Sequence, residues 1–430
     1  MAAANASYAL PPLPEYTLRP QPSLFSWISD EAVAGALPVI VYWAVSLFYH
    51  VIDVYDVFPQ YRIHTPAEVL KRNHVSRYEV FRDVIIQQII QTLGALALGW
   101  WDDLAQVGKT DYDIAWYAQK LRLVQRAVPV VLSAVGVNSV ALAAKVAASH
   151  PAAAGVLRGG LYAGESMAPA FASWELTVAN ALYWYAIPAL QFAAAIVVMD
   201  SWEYMMHRMM HVNKWLYVTF HSRHHRLYVP YAYGALYNHP IEGLLMDTAG
   251  AGFSYLVTGL TVRQSWFFFS ISTIKTVLDH SGYDFPWDPV HWIFPNNAAY
   301  HDIHHQSWGI KSNFSQPFFI WWDRMLGTMY TGDIKEKYER QRRTAEQKLA
   351  QEEENRGKTL AVEMTPPTAT AVETAEDNAR PQQISAPRST RRKASSISQS
   401  PADNFKGLRN KMNESLHGKR ANVLGVESSH

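Results

Sequence analysis

HRMMHVNKWLYVTFHSRHH, residues 207–225, decides how this chain is read. Five of these nineteen residues are histidine, in a chain that has 17. His207 and His211 are spaced i, i+4; His221, His224 and His225 are spaced i, i+3, i+4. HDIHH at 301–305 repeats the second pattern with His301, His304 and His305. On a helix, residues three and four apart share a face, so each box is expected to project its rings from one side. A single HxxxH pair is common on ordinary polar faces. Two HxxHH boxes with an HxxxH box, all flanking long apolar segments, point to metal.

Imidazole suits iron, zinc and copper. Eight rings exceed the four to six positions of one ion and suit two. The Glu-x-x-His motif of soluble di-iron bundles is absent. The chemistry that fits is an all-histidine pair of irons, able to use O2 against an unactivated C–H bond. His280, in DHSGY at the end of an apolar hairpin, is read as a ninth ligand. His239, in NHP, stays open between ligand and structural residue, and His50, His64, His74, His150 and His291 are read as structural or exposed. Metal-bound imidazoles donate their other nitrogen to a carboxylate or carbonyl. Asp200, Glu203, Asp279 and Asp302 are the candidate acceptors behind the ligands.

Outward from the boxes the chain is apolar. The expected spans are 32–52, 84–100 and 182–199, with a helical hairpin over 244–279. Residues 127–148 are apolar but contain Lys145, and their crossing is left open. Gln87, Gln88 and Gln91 fall on one helical face, which should look into protein rather than lipid. The loop 53–83 carries Arg62, Lys71, Arg72, Arg77 and Arg82, which assigns it to the cytosol and the N-terminus to the lumen. The boxes then face the cytosol if 127–148 does not cross, and the lumen if it does. The first box follows its span by about eight residues, or ~12 Å of helix, which places the metals near the interface. The run LYVPYAYGALY, 227–237, is read as an interfacial belt or the mouth of a substrate cleft.

These features make an all-α polytopic membrane protein with a helical di-metal site on its cytosolic side. Its parts are an N-terminal tail (1–31), a transmembrane region (32–175), a histidine-box core (176–335), and a charged helix with a disordered tail (336–430). Asn5-Ala-Ser7 is a glycosylation triplet that fits a lumenal N-terminus, and the basic run at 391–396 is a solvated stretch or kinase target. The first residues lack the pattern of a cleavable signal peptide. Absence of cysteine excludes disulfides, zinc–thiolate sites and iron–sulfur clusters. A net charge of +1 gives no field for nucleic acid, and none is expected as a partner.

HRMMH, HSRHH and YHDIHH together resemble the membrane fatty acid hydroxylase superfamily, which includes sterol C-4 methyl oxidases and C-5 desaturases. Three longer strings, LYVPYAYGALYNHPIEG, KTVLDHSGYDFPWDP and FPNNAAYHDIHHQSWGIKSNFSQPFFIWWD, are similar to fungal sphingolipid C4-hydroxylases. The resemblance covers roughly 30–335. It implies a di-iron centre held by His207, His211, His221, His224, His225, His280, His301, His304 and His305. It also implies an endoplasmic reticulum membrane location and O2-dependent hydroxylation at C4 of sphinganine or dihydroceramide. Electrons are implied to come from NADPH through a reductase and a separate cytochrome b5. Zinc can replace iron in isolated protein. The rivals are a sterol C-4 methyl oxidase or C-5 desaturase with the same boxes, and a non-catalytic membrane scaffold whose histidines bind zinc.

Overall fold

The computed structural model describes residues 10–101, 105–162 and 170–364. The Asn5-Ala-Ser7 triplet, the basic run at 391–396 and the tail beyond 364 lie outside the described residues. Helix α1, Asp30–Val54, starts at Ser29, whose hydroxyl accepts the Ala32 N–H at 3.2 Å. Helix α2, Arg77–Trp101, runs back alongside it. Gln87 and Gln88 are buried on its inner face, as their spacing predicts. Helix α3, Thr110–Gln125, follows a two-residue strand at Gln106–Val107 that pairs with Arg19–Pro20.

The apolar stretch 127–148 does not form one straight span. It breaks into Ala127–Ala134 and Ser139–Val146, and the chain bends there by 114°. Gly136 takes a positive φ of 78°, and the Asn138 side chain caps the second piece by accepting the Ala141 N–H. Helix α4 is continuous over Ser173–Val212, 40 residues, with a π-helical turn at Leu182–Ala186 ahead of Pro188. A buried ion pair between Arg122 and Glu175, at 2.6 Å, ties α3 to its first turn. At roughly 60 Å, α4 is about twice as long as a bilayer core is thick, so its ends project.

The hairpin forms as expected. Helix α5, Ala249–Thr258, ends at Gly259 in the left-handed region (φ 63°), and Thr261 and Gln264 cap helix α6, Val262–Asp279. Helix α5 is antiparallel to α4: Trp202 donates to the Leu245 carbonyl at 2.9 Å, and Gln191 to that of Gly259 at 2.8 Å. Helix α6 is parallel to α1, joined by Trp266 to the Asp30 carbonyl at one end and Tyr49 against Tyr283 at the other. The last turns of α1, α4 and α6 therefore meet at one end of the bundle. There sits helix α7, Ala298–His305, which carries the third box. Helix α8, Ile334–Met364, is the charged helix read at 336 onward. It packs on the short helix Pro66–Arg72, with Lys71 paired to Glu352.

Among the described residues, α1 and α4 are the single helices long and apolar enough to cross a membrane by length and composition, and the bent pair Thr110–Ala134 and Ser139–Val146 meets the same measure when taken as one broken span. The expected spans at 84–100 and 244–279 are helical but do not meet that measure. The reason is visible in α6: Ser265, Ser270, Ser272 and Lys275 are buried against protein, so its composition serves neighbours as well as lipid. The tyrosine run at 227–237 is a core, not a belt. Leu227, Tyr231, Tyr233 and Tyr237 are buried with Tyr42 and Tyr49 of α1.

Candidate metal centre

Nine histidines converge at the box end of the bundle, in two groups. His207, His211, His221, His225 and His304 form one; His224, His280, His301 and His305 form the other. Eight of the nine are buried and His211 partly so. The boxes do not each serve one side, as a single helical face suggested. The i, i+4 pair of the second box, His221 and His225, joins the first group while His224 crosses to the second. In the third box the pair His301 and His305 stays in the second group and His304 crosses to the first. The second box is a tight 3-10 turn, His221–Arg226, and only the first and third are α-helical.

The hydrogen bonds fix which nitrogen faces inward. Nδ1 of His207 lies 2.8 Å from the Phe314 carbonyl, that of His280 2.8 Å from Thr276, and that of His304 2.7 Å from Ser312. His305 and His224 meet the carbonyls of Leu227 and Tyr237 at 3.0 and 3.3 Å. A carbonyl only accepts, so the proton of each of these rings is on Nδ1 and its Nε2 is a lone pair. Nε2 of His301 lies 3.1 Å from Nε2 of both His280 and His305. Nε2 of His211, His221 and His225 lie 2.7 to 3.2 Å apart. Converging lone pairs repel unless a cation sits among them. Nε2 of His304, and Nδ1 of His225 and His301, have no hydrogen-bond partner among the described residues. The donor sets, five and four imidazoles, therefore fit two metal ions of the iron, zinc or copper type. Burial pushes His221 down to about 3 and His224 to about 4, which keeps the rings in the neutral, ligating form.

The carboxylates expected behind the ligands bond elsewhere among the described residues. Asp200 accepts the N–H groups of Phe318 and Phe319, and Glu203 accepts from Gln316. Asp279 holds Lys275 and Asn296, and Asp302 holds His64, Gln306 and Tyr338. Main-chain carbonyls take the ligand protons instead. Among the described residues the one carboxylate that does so is Glu242, 2.5 Å from Nδ1 of His221. His239 is in neither group; its ring accepts the Ile241 N–H and caps a short helix.

A cavity of about 740 Å³ ends on both groups. His207 and His221 of the first, and His224, His280 and His301 of the second, form its floor. Its walls rise between α1, α2, α4, α5 and α6 to Glu31 and Val262, roughly 26 Å above Asp279 along α6. Most of the wall is apolar, with Val39, Met199, Leu256 and Phe269 upon it.

Comparison with known proteins follows this geometry. The fatty acid hydroxylase family model matches residues 192–328, which contain every one of the nine histidines. The sphingolipid C4-hydroxylase of Saccharomyces cerevisiae is 42% identical, over 77% of this chain and 80% of its own length. The chain belongs to the fatty acid hydroxylase family. Sphinganine C4-monooxygenase 1 of Arabidopsis thaliana is 38% identical, over 70% of this chain and 88% of its own. Methylsterol monooxygenase 1 of Gallus gallus, at 36% identity, matches over only 34% of the chain and 47% of its own length. No solved structure matches.

The sequence reading missed Glu242 as a support of this site and left the role of His64 unspecified. Glu242 carried a signal, since NHPIEG places it as the third residue of a helix capped by His239. His64 was read as structural or exposed; it is 4% exposed and lies between Glu68 and Asp302, at 3.0 Å from each. Burial disfavours its charged form, but the Asp302 and Glu68 carboxylates outweigh that and raise it to about 9. The resulting imidazolium clamps the third box from behind.

Proposed function

We propose that the protein is a sphingolipid C4-hydroxylase. It replaces one hydrogen on C4 of a sphinganine or dihydroceramide chain with hydroxyl, taking up O2, two electrons and two protons and releasing water. The observation that carries this reading is the long apolar cavity whose floor is two groups of buried, inward-facing imidazoles. Iron held by His207, His211, His221, His225 and His304, and by His224, His280, His301 and His305, would supply the O2 chemistry, with zinc able to take the same sites in isolated protein.

The chain's own part is positioning. C4 and its neighbouring methylenes have similar bond strengths, so the outcome depends on which carbon lies over the floor. The apolar wall excludes water and holds the alkyl chain; the Nδ1 bonds of His207, His221, His224, His280, His304 and His305 keep those rings aimed inward. Residues 176–335 would be the catalytic unit, framed by the helices of 32–175, with 1–31 and 336–430 as appendages.

The electron source would be NADPH through a reductase and cytochrome b5. The loop with Arg62, Lys71, Arg72, Arg77 and Arg82 lies at the box end, which by the charge rule faces the cytosol. This supports a multi-pass protein of the endoplasmic reticulum membrane with its boxes open to a cytosolic donor.

The test is a product assay. Wild type and His224→Ala are expressed in cells lacking C4-hydroxylation, and long-chain bases and sterols are profiled by mass spectrometry. A 4-hydroxylated base from wild type only is the expected result. Stable expression of both with no such base overturns the proposal, and a changed sterol profile would then favour the sterol oxidase.

A further inference from the structure

The cavity carries more polar surface than an alkyl chain needs, and part of it lies close to the floor. Glu203 lines it at 2% exposure, one turn before His207 on α4. Its Oε2 accepts from Gln316 at 3.1 Å, and its Oε1 has no partner among the described residues. Asp247 lines it too; Oδ2 accepts from Gln91 at 3.2 Å and Asn238 at 3.3 Å, and Oδ1 has none among the described residues. The two carboxylates are near enough to feel each other's charge. Among the described residues, no lysine or arginine lines the cavity. A third group is independent of the acids. Gln88 is 5% exposed and lines the same space; the Trp43 indole occupies its Oε1 at 2.7 Å, and its Nε2 is a buried donor without an acceptor among the described residues. Unfilled acceptors on a buried and a half-buried acid, beside an unfilled buried donor, are costly unless a ligand completes them. The ligand so described is cationic and bears hydroxyls.

We infer that Glu203 and Asp247 bind the protonated amine of a free sphingoid base, and that Gln88 donates to one of its hydroxyls. This rests on the C4-hydroxylase reading and names the form of substrate the site prefers. The amine is on C2, two carbons from C4. Held one helical turn from His207, it leaves C4 over the histidines and the alkyl chain pointing up the cavity. An N-acylated base has no charge to offer the acids and must place a second chain beside them. The free base is therefore preferred to dihydroceramide, and the acids set that preference.

The test compares sphinganine with N-acetylsphinganine on purified wild type, Glu203→Gln, Asp247→Asn and the double variant. A charge-assisted hydrogen bond to a buried carboxylate is worth roughly ten- to a hundredfold in affinity. In the double variant KM for sphinganine should rise by that factor with kcat largely kept, while KM for N-acetylsphinganine moves by less than about threefold. Equilibrium binding of radiolabelled sphinganine to the metal-loaded protein without reductant should weaken by the same factor, with metal content matched by elemental analysis, which separates the effect from metal loading. Glu203→Asp with wild-type Asp247 keeps the charge and should retain most of the preference. Equal losses for both lipids, or no change for either, overturn the inference. If wild type hydroxylates neither lipid, the C4-hydroxylase reading itself has failed, and that result is distinct from the other two.

Discussion

Gly35 offers a direct test of how the cavity measures its substrate. It lines the upper cavity on α1, and a Cβ built there meets no heavy atom within 4 Å. Its height follows from the helix register. Asp30 is level with Arg263 and Trp266, which bond it at 2.8 and 2.9 Å. Five residues on, in the parallel direction, Gly35 is level with about Phe269. Eleven residues of α6 then remain to His280, or about 16 Å. In an 18-carbon base, C4 to the terminal methyl is fourteen bonds, roughly 17 Å when extended at about 1.2 Å per bond. The methyl end should therefore rest against Gly35. In Gly35→Phe the ring projects roughly 5 Å into that space and displaces about four methylenes. At about 0.8 kcal/mol each, the loss is ~3 kcal/mol, or roughly two hundredfold in kcat/KM for the 18-carbon base. A 14-carbon base ends short of the ring and should be turned over at close to the wild-type rate. Bases of both lengths are mixed in one reaction, and the product ratio by mass spectrometry reads the specificity ratio directly. A ratio within about threefold of wild type, in a variant with wild-type metal content, would refute the assigned orientation of the chain.

Three further perturbations address the centre and its support. The crossing of His304 into the first group predicts that His207→Ala with His304→Ala removes ligands from one ion only, leaving about one ion per chain by elemental analysis; His207→Ala with His301→Ala weakens both, and equal stoichiometry in the two double variants would contradict the grouping. Glu242→Gln replaces the carboxylate behind His221 with a neutral amide and should weaken metal binding roughly ten- to a hundredfold in a chelator competition, with overall fold retained by circular dichroism. His64, raised to about 9 from 6.5, stabilises the fold fully below about pH 6.5 and loses that contribution as pH rises through about 9, up to ~3 kcal/mol. Thermal unfolding in detergent should show Tm falling over that window in wild type, and His64→Gln, lower at neutral pH, should flatten it; a parallel fall in both proteins would remove His64 as the cause.

What was legible in the sequence and what was not divide along one physical line. Side-chain chemistry that repeats at helical spacing can be read: the histidines, the inward glutamines of α2 and the returning hairpin all depend on residue type and period. The chain break inside 127–148 was not read, although the Gly-Val-Asn-Ser at 136–139 combines a left-handed glycine with an N-cap, the ordinary signal for one helix ending and another starting. The grouping of the rings was not legible. It depends on whether HSRHH winds as an α-helix or a 3-10 turn and on how two boxes face each other, and neither is a property of the box itself. The supports behind the ligands were hidden for a deeper reason. Phe314, Thr276, Ser312, Leu227 and Tyr237 act through carbonyl oxygens that every residue possesses, so side-chain type cannot mark them. The search for carboxylates behind the rings therefore settled on the nearest acids in sequence, which are committed to other donors. Asp200 illustrates the exchange: it takes the main-chain N–H groups of Phe318 and Phe319, and so holds the segment that supplies the Phe314 carbonyl to His207. An acid close to a ligand in sequence can serve that ligand through the backbone it anchors.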